Sequence, residues 1–215
     1  MAIFVGNVSA LQFLLLNGSP QRRVFGSCQG VRLEPTRSRP QPGVVPSVKV
    51  VRDLGFPDGV LTRKLHVNVL DAASRSRSRL LVNHVWSGPE RTSYLQIDDE
   101  YRVMTPEAVF MQMASDLHLV HLVELGMLLC GTYCPSYGEK PTRYGIEPLT
   151  SHKKHIEYAS HFDGRHGYKN ARTALQYVLD GSASPIESKL AVAFTLPTHY
   201  GKLFGRERWD PLSRQ

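Results

Sequence analysis

The sequence predicts an α+β fold, with a β-rich N-terminal half followed by a helical C-terminal half. Three observations lead there. Leu65, Val67 and Val69 alternate with His66, Asn68 and Leu70, the period of two that a half-buried strand requires. From Thr105 the period changes. Thr105 is a good N-cap, Pro106 suits the first helical position, and Val109, Phe110, Met113 and Leu117 follow at helical spacing. Residues 119–129 are then almost entirely apolar, interrupted only by His121, Glu124 and Gly126, as in a helix buried around most of its girth.

The other elements follow in chain order. Residues 1–16 read as a short strand or turn and a short helix, with Ser9 as its expected cap. Residues 17–48 hold five prolines with arginines between them, so they read as a loop or arm. Residues 79–86 form a second candidate strand, and 93–97 with 101–103 a hairpin around Asp98, Asp99 and Glu100. Gly131 is a plausible stop for the apolar helix, and 132–150, with three prolines, reads as a linker loop. Ser151 caps a helix over 152–161, and a Gly-rich basic turn, 163–167, precedes another. That helix carries Ala171, Ala174, Leu175, Val178 and Leu179 on one face and ends at Gly181. A last helix runs from Ser184 to about Phe194. The expected organisation is an α+β module over 1–131, the linker, and a helical region over 151–215.

Composition narrows the function. Of 215 residues, 41% are hydrophobic, enough for a core, and 21% are charged, too few for a wholly disordered chain. The net charge of +7 favours acidic partners, nucleic acid first, or serves solubility alone. Three cysteines, Cys28, Cys130 and Cys134, make no disulfide framework. Cys130 and Cys134, with His118 and His121 upstream, lack the paired knuckles of a zinc site, and Cys130 closes an apolar segment, so no metal is expected. The apolar run at 11–16 is short and has no basic segment before it, so it does not read as a signal peptide. No apolar stretch reaches the length of a membrane span, and a cytoplasmic protein without a membrane partner is expected. P-loop, G-x-G-x-x-G, H-E-x-x-H and G-x-S-x-G motifs are absent.

Four groups of residues carry possible chemistry. Ser184-Pro185-Ile186-Glu187 is a capping box, in which Ser184 accepts from the Glu187 N–H and Glu187 reaches back to the Ser184 N–H. The competing reading makes Glu187 catalytic. Lys153, Lys154, Arg165, Lys169 and Arg172, with His166, bracket two helices; Arg165, Lys169 and Arg172 share a face if the helix begins near Arg165. Arg75, Arg77 and Arg79 alternate with serines in a strand connection, the densest positive cluster in the chain. Both basic sets are candidate nucleic-acid contacts or solvated surface. His118 and His121 stand three apart in the apolar helix, as ligands, a proton-transfer pair or core residues.

Residues 103–116, VMTPEAVFMQMASD, resemble a segment of bacterial AbiE-type antitoxins, the regulators of type IV toxin–antitoxin systems. The strands around 66–69 and 82–86 look like the β-part before that segment, and Ser9-Ala10-Leu11 looks like its helix start. Residues 181–188, GSASPIES, are similar to the opening of a Vsr-like endonuclease domain, in which Glu187 would match the helix glutamate of the restriction-endonuclease-like fold. The antitoxins' winged helix has no counterpart here. The acidic strand pair that completes the nuclease metal site is not found after Gly201, where Asp210 is followed by no further acidic residue. The resemblance implies a regulator-type module followed by the first helix of a truncated nuclease domain. The expected function is a non-enzymatic, antitoxin-like or transcription-regulator-like protein that binds DNA or a toxin partner and needs no cofactor. The alternatives are a nuclease or its remnant, which would use magnesium, and a protein-interaction module without nucleic acid.

Overall fold

The computed structural model describes residues 2–17, 33–42, 64–88, 93–136 and 141–197. Cys28, Asp210 and most of the proline- and arginine-rich segment lie outside them. The fold is α+β, and the chain divides into two units, 1–109 and 110–214.

The first unit is built on a six-stranded mixed sheet of order β2-β5-β6-β1-β3-β4. Its strands are β1 (Ile3–Val5), β2 (Glu34–Thr36), β3 (Leu65–Val69), β4 (Leu81–Val85), β5 (Tyr94–Gln96) and β6 (Tyr101–Met104). β1 runs parallel to β6, with Val5 opposite Val103, and antiparallel to β3, with Val5 opposite Val67. These three valines therefore share one face of the sheet, and all are buried. Helix α1 (Asn7–Asn17) packs against β3 and β6. Its Leu11, Leu14 and Leu15 are buried, each contributing about 1.5–3 kcal/mol by removal from water. The β5–β6 hairpin is closed by Asp98, whose carboxylate accepts the N–H groups of Glu100 and Tyr101, both at 2.7 Å.

Two expectations for this unit are corrected. Ser9 does not cap α1. The helix starts two residues earlier, at Asn7, whose φ of 48° is tolerated by asparagine, and the Ser9 hydroxyl accepts the His66 N–H at 3.0 Å. Part of the expected 17–48 loop is strand: Glu34-Pro35-Thr36 pairs antiparallel with β5. Proline is admissible there because β2 is an edge strand, where a missing N–H need not break a ladder.

The division between units falls within helix α2 (Pro106–Met113), which begins as expected with Thr105 Oγ1 accepting the Ala108 N–H. In the second unit, α3 (Leu119–Leu129) is the buried apolar helix, packed against α5 (Tyr168–Leu175) and α6 (Pro185–Thr195). Gly126 permits this approach, since a Cβ there would sit 2.4 Å from Val178 Cγ2. Helix α4 (His152–Ala159) packs against α5 and gives way to a 3-10 turn, Ser160–Phe162, rather than running on to 161. Segment 132–150 is not all loop. It contains the short antiparallel pair β7 (Tyr133–Cys134) and β8 (Arg143–Tyr144). Ala171, Ala174, Leu175 and Val178 are buried as expected, whereas Leu179 is half exposed because α5 has ended.

Candidate functional site

The basic residues of the second unit converge at the start of α5. Phe162 ends the 3-10 turn, and its carbonyl accepts the Arg165 N–H at 2.9 Å. The Arg165 carbonyl accepts the Tyr168 N–H at 3.2 Å. Gly164 (φ 74°) and Gly167 (φ 82°) take the left-handed conformations that this double turn requires. Gly167 has a second constraint, because a Cβ there would lie 2.9 Å from Ser115 Oγ. Helix α5 thus starts at Tyr168 and not near Arg165. The chain's reversal nevertheless brings Arg165 beside the helical cations. Arg165, His166, Lys169, Arg172, Ser115 and Asn170 all line one concavity of about 520 Å³, with Asp163 at the same wall.

The concavity is anchored. Asn170 Nδ2 donates to the carbonyls of Ala114 (2.9 Å) and Leu117 (2.8 Å), which α2 leaves without helical partners, so the first turn of α5 is tied to the end of α2. The Arg165 guanidinium stands 5.9 Å from the centroid of the Phe162 ring, within cation–π range. No side chain caps α5. Among the described residues, the N–H groups of Lys169 and Asn170 have no acceptor and Lys169 and Arg172 form no ion pair. Chemically the arrangement is a concave surface of cations and N–H donors at the positive end of a helix, which suits a phosphate.

The arginine comb lies in the first unit, in the connection from β3 to β4. Arg75, Arg77 and Arg79 are all exposed. The intervening serines hold the backbone. Ser74 donates its N–H and hydroxyl to Asp71 Oδ1, which lowers the Asp71 carboxyl below its ordinary pKa. Ser76 exchanges backbone bonds with the Asn83 amide at 2.9 Å, and Ser76 Oγ accepts the Ser78 N–H. Alternation in sequence thus becomes division of labour, with serines inward and arginines outward. Lys153 and Lys154 are exposed on α4 and do not line the α5 concavity.

Glu187 is engaged in capping. Ser184 Oγ accepts the Glu187 N–H at 3.1 Å, as expected, but Glu187 Oε2 accepts from Ala183 N at 2.9 Å, one residue before the Ser184 N–H expected from the sequence. The same helix start is bound by hydroxyls: Tyr133 Oη lies 3.0 Å from Ser188 Oγ, which lies 2.7 Å from Ser182 Oγ. Burial pushes the Tyr133 phenol up, so it stays protonated, and either hydroxyl of the Tyr133–Ser188 pair can donate.

The histidines and cysteines are dispersed. His118 precedes α3, and His121 Nδ1 meets Glu124 Oε2 at 3.3 Å. Cys130 and Cys134 are buried thiols outside any disulfide, and among the described residues no three His, Cys, Asp or Glu side chains are grouped to hold a metal ion. Two histidine features escape sequence reasoning. His66 Nδ1 and His84 Nε2 lie 2.9 Å apart across β3 and β4, their rings stacked, and burial followed by the His84 charge lowers the His66 pKa to about 4. His155 on α4 is fully buried against the Phe110 ring, neither ring nitrogen has a hydrogen-bond partner among the described residues, and burial, then the His152 charge, lowers its pKa to about 3.

Of the eight predicted nucleic-acid residues, the structure therefore brings Arg165, Lys169 and Arg172 to one site, sets Arg75, Arg77 and Arg79 on another, and leaves Lys153 and Lys154 apart. Ser115 and Asn170 join the first site through tertiary contact alone. Among the described residues no helix is long and apolar enough to cross a membrane. Comparison with family models, curated proteins and solved structures finds no match to this chain.

Proposed function

We propose that the chain is a non-enzymatic nucleic-acid-binding protein of the regulator type, holding phosphates at the α5 concavity. The observation that carries this reading is the convergence of Arg165, Lys169 and Arg172 around one concave site at an uncapped helix start. The exposed comb Arg75, Arg77 and Arg79 and the net charge of +7 support it, because cations brought to phosphates release counterions. The reading leaves Glu187 in the helix cap, where its Oε2 accepts from the Ala183 N–H. A toxin partner, which rests on the resemblance of residues 103–116, and a cytoplasmic location belong to the same proposal.

Binding of duplex and single-stranded DNA, followed by fluorescence anisotropy across a salt series, tests the reading. With the three α5-site cations contacting phosphates, log K should fall against log salt, and each of Arg165→Gln, Lys169→Gln and Arg172→Gln should flatten the slope by about 0.7–0.9. Absence of binding at low salt, or binding indifferent to all three substitutions together, overturns it.

A further inference from the structure

Resting on that phosphate-binding reading, the geometry points to the α5 concavity as a site for a terminal phosphate monoester, the phosphorylated end of a nucleic-acid strand. Three properties of the site separate an end from the interior of a strand.

The first is shape. A strand's internal phosphodiesters form a continuous line that a ridge or an open groove tracks. This site is a half-open concavity of about 520 Å³, within the range that holds small ligands and roughly one nucleotide. A group that projects from the end of a chain enters such a space with only one substituent leading out.

The second is charge. Arg165, Lys169 and Arg172 converge here with the positive end of α5. An internal diester brings one negative charge. A phosphate monoester brings about −1.5 to −2 at neutral pH and three terminal oxygens. The monoester therefore relieves more of the mutual repulsion among the cations and accepts from more of the donors.

The third is the donor set. The N–H groups of Lys169 and Asn170 have no acceptor among the described residues, and the Ser115 hydroxyl lines the same wall without a hydrogen-bond partner among them. Together with the guanidinium groups they give the wall of one concavity more donors than the two non-bridging oxygens of a diester can satisfy. They are also held in place, by Asn170 on the α2 carbonyls and by Arg165 over Phe162, so little ordering is needed on binding.

The test compares one single-stranded oligonucleotide in three forms: 5′-phosphorylated, 3′-phosphorylated, and hydroxyl-ended. Binding to the full chain is followed by anisotropy at moderate salt. At least one phosphorylated form should bind on the order of tenfold more tightly than the hydroxyl form, the scale of an added set of charge-assisted hydrogen bonds. That preference should vanish in Arg172→Gln and weaken in Ser115→Ala, and inorganic phosphate should compete it away. Both residues are exposed, and unchanged melting temperatures show that the variants remain folded. Equal binding of all three forms, still weakened by Arg165→Gln, Lys169→Gln and Arg172→Gln, overturns the end-recognition proposal and leaves the nucleic-acid reading standing. No binding of any form overturns both.

Discussion

His155 shows how much one side chain can cost. The residue is 1% exposed, and both ring nitrogens lack partners. A neutral imidazole carries one N–H and one acceptor, so two polar sites are desolvated without return, at about 1–3 kcal/mol each. Against this stands its ring contact with Phe110, 4.6 Å between centroids, worth about 0.5–1.5 kcal/mol. The polar term is larger. His155→Leu, close in volume and wholly apolar, is expected to raise stability at neutral pH by about 1 kcal/mol, as a shift in the urea midpoint at constant slope. A loss of stability would show that ring packing, or a buried water, outweighs the orphaned nitrogens. The position is only half legible in the sequence. Helical spacing places His155, Tyr158 and Ala159 on one face of α4, and all three are buried. What spacing does not reveal is that neither ring nitrogen finds a hydrogen-bond partner among the described residues. The same limit applies to His118 and His121, adjacent in spacing yet separated in role, one before the helix and one on Glu124.

Elements were more legible where a local rule decides them. The apolar helix Leu119–Leu129 has the bounds its composition predicts, and the α2 start follows from Thr105 and Pro106. Elements that depend on a distant partner were not. β2 exists because β5 offers an edge to Glu34-Pro35-Thr36, and no periodicity in three residues announces that. The α5 site stands between these cases. Its cations were visible, but their convergence depends on Gly164 and Gly167 turning the chain and on Asn170 reaching α2. Helix α6 offers the clearest test at this scale. Its start combines a local cap with a buried hydroxyl chain, and the two should differ in weight. Ser184→Ala removes one exposed capping bond and is expected to cost about 1 kcal/mol. Ser188→Ala strands the buried Tyr133 hydroxyl and leaves Ser182 only its longer bond to the Ser184 carbonyl, and it is expected to cost about 2 kcal/mol. Glu187→Gln keeps an acceptor for the Ala183 N–H and should change stability by only a few tenths of a kcal/mol. Chemical denaturation of the three variants measures this order. A Glu187→Gln loss as large as that of Ser188→Ala would mean that the carboxylate does more than accept one hydrogen bond.

At the scale of the whole molecule, each unit carries one histidine held neutral by its surroundings: His66, lowered to about 4, in the first and His155, lowered to about 3, in the second. For both, the folded pKa lies below the ordinary value of 6.5, so between those limits the unfolded chain binds more protons than the folded one. Stability therefore rises with pH across this window. It is fully present above about pH 6.5 and is lost as pH falls toward about 4 for His66 and about 3 for His155. Each histidine contributes a slope of up to about 1.4 kcal/mol per pH unit. The net charge of +7 grows as carboxylates protonate, and its self-repulsion acts in the same direction. Urea titrations at a series of pH values should show stability falling from neutral to mildly acidic conditions. His155→Leu should flatten the fall by about one proton's worth, and His66→Gln by a similar amount. Followed by hydrogen exchange, each substitution should protect its own unit most, because the desolvation it relieves is local. A profile left unchanged by both substitutions would assign the acid sensitivity to carboxylates such as Asp71, whose pKa is lowered and whose stabilising contribution is also lost on acidification.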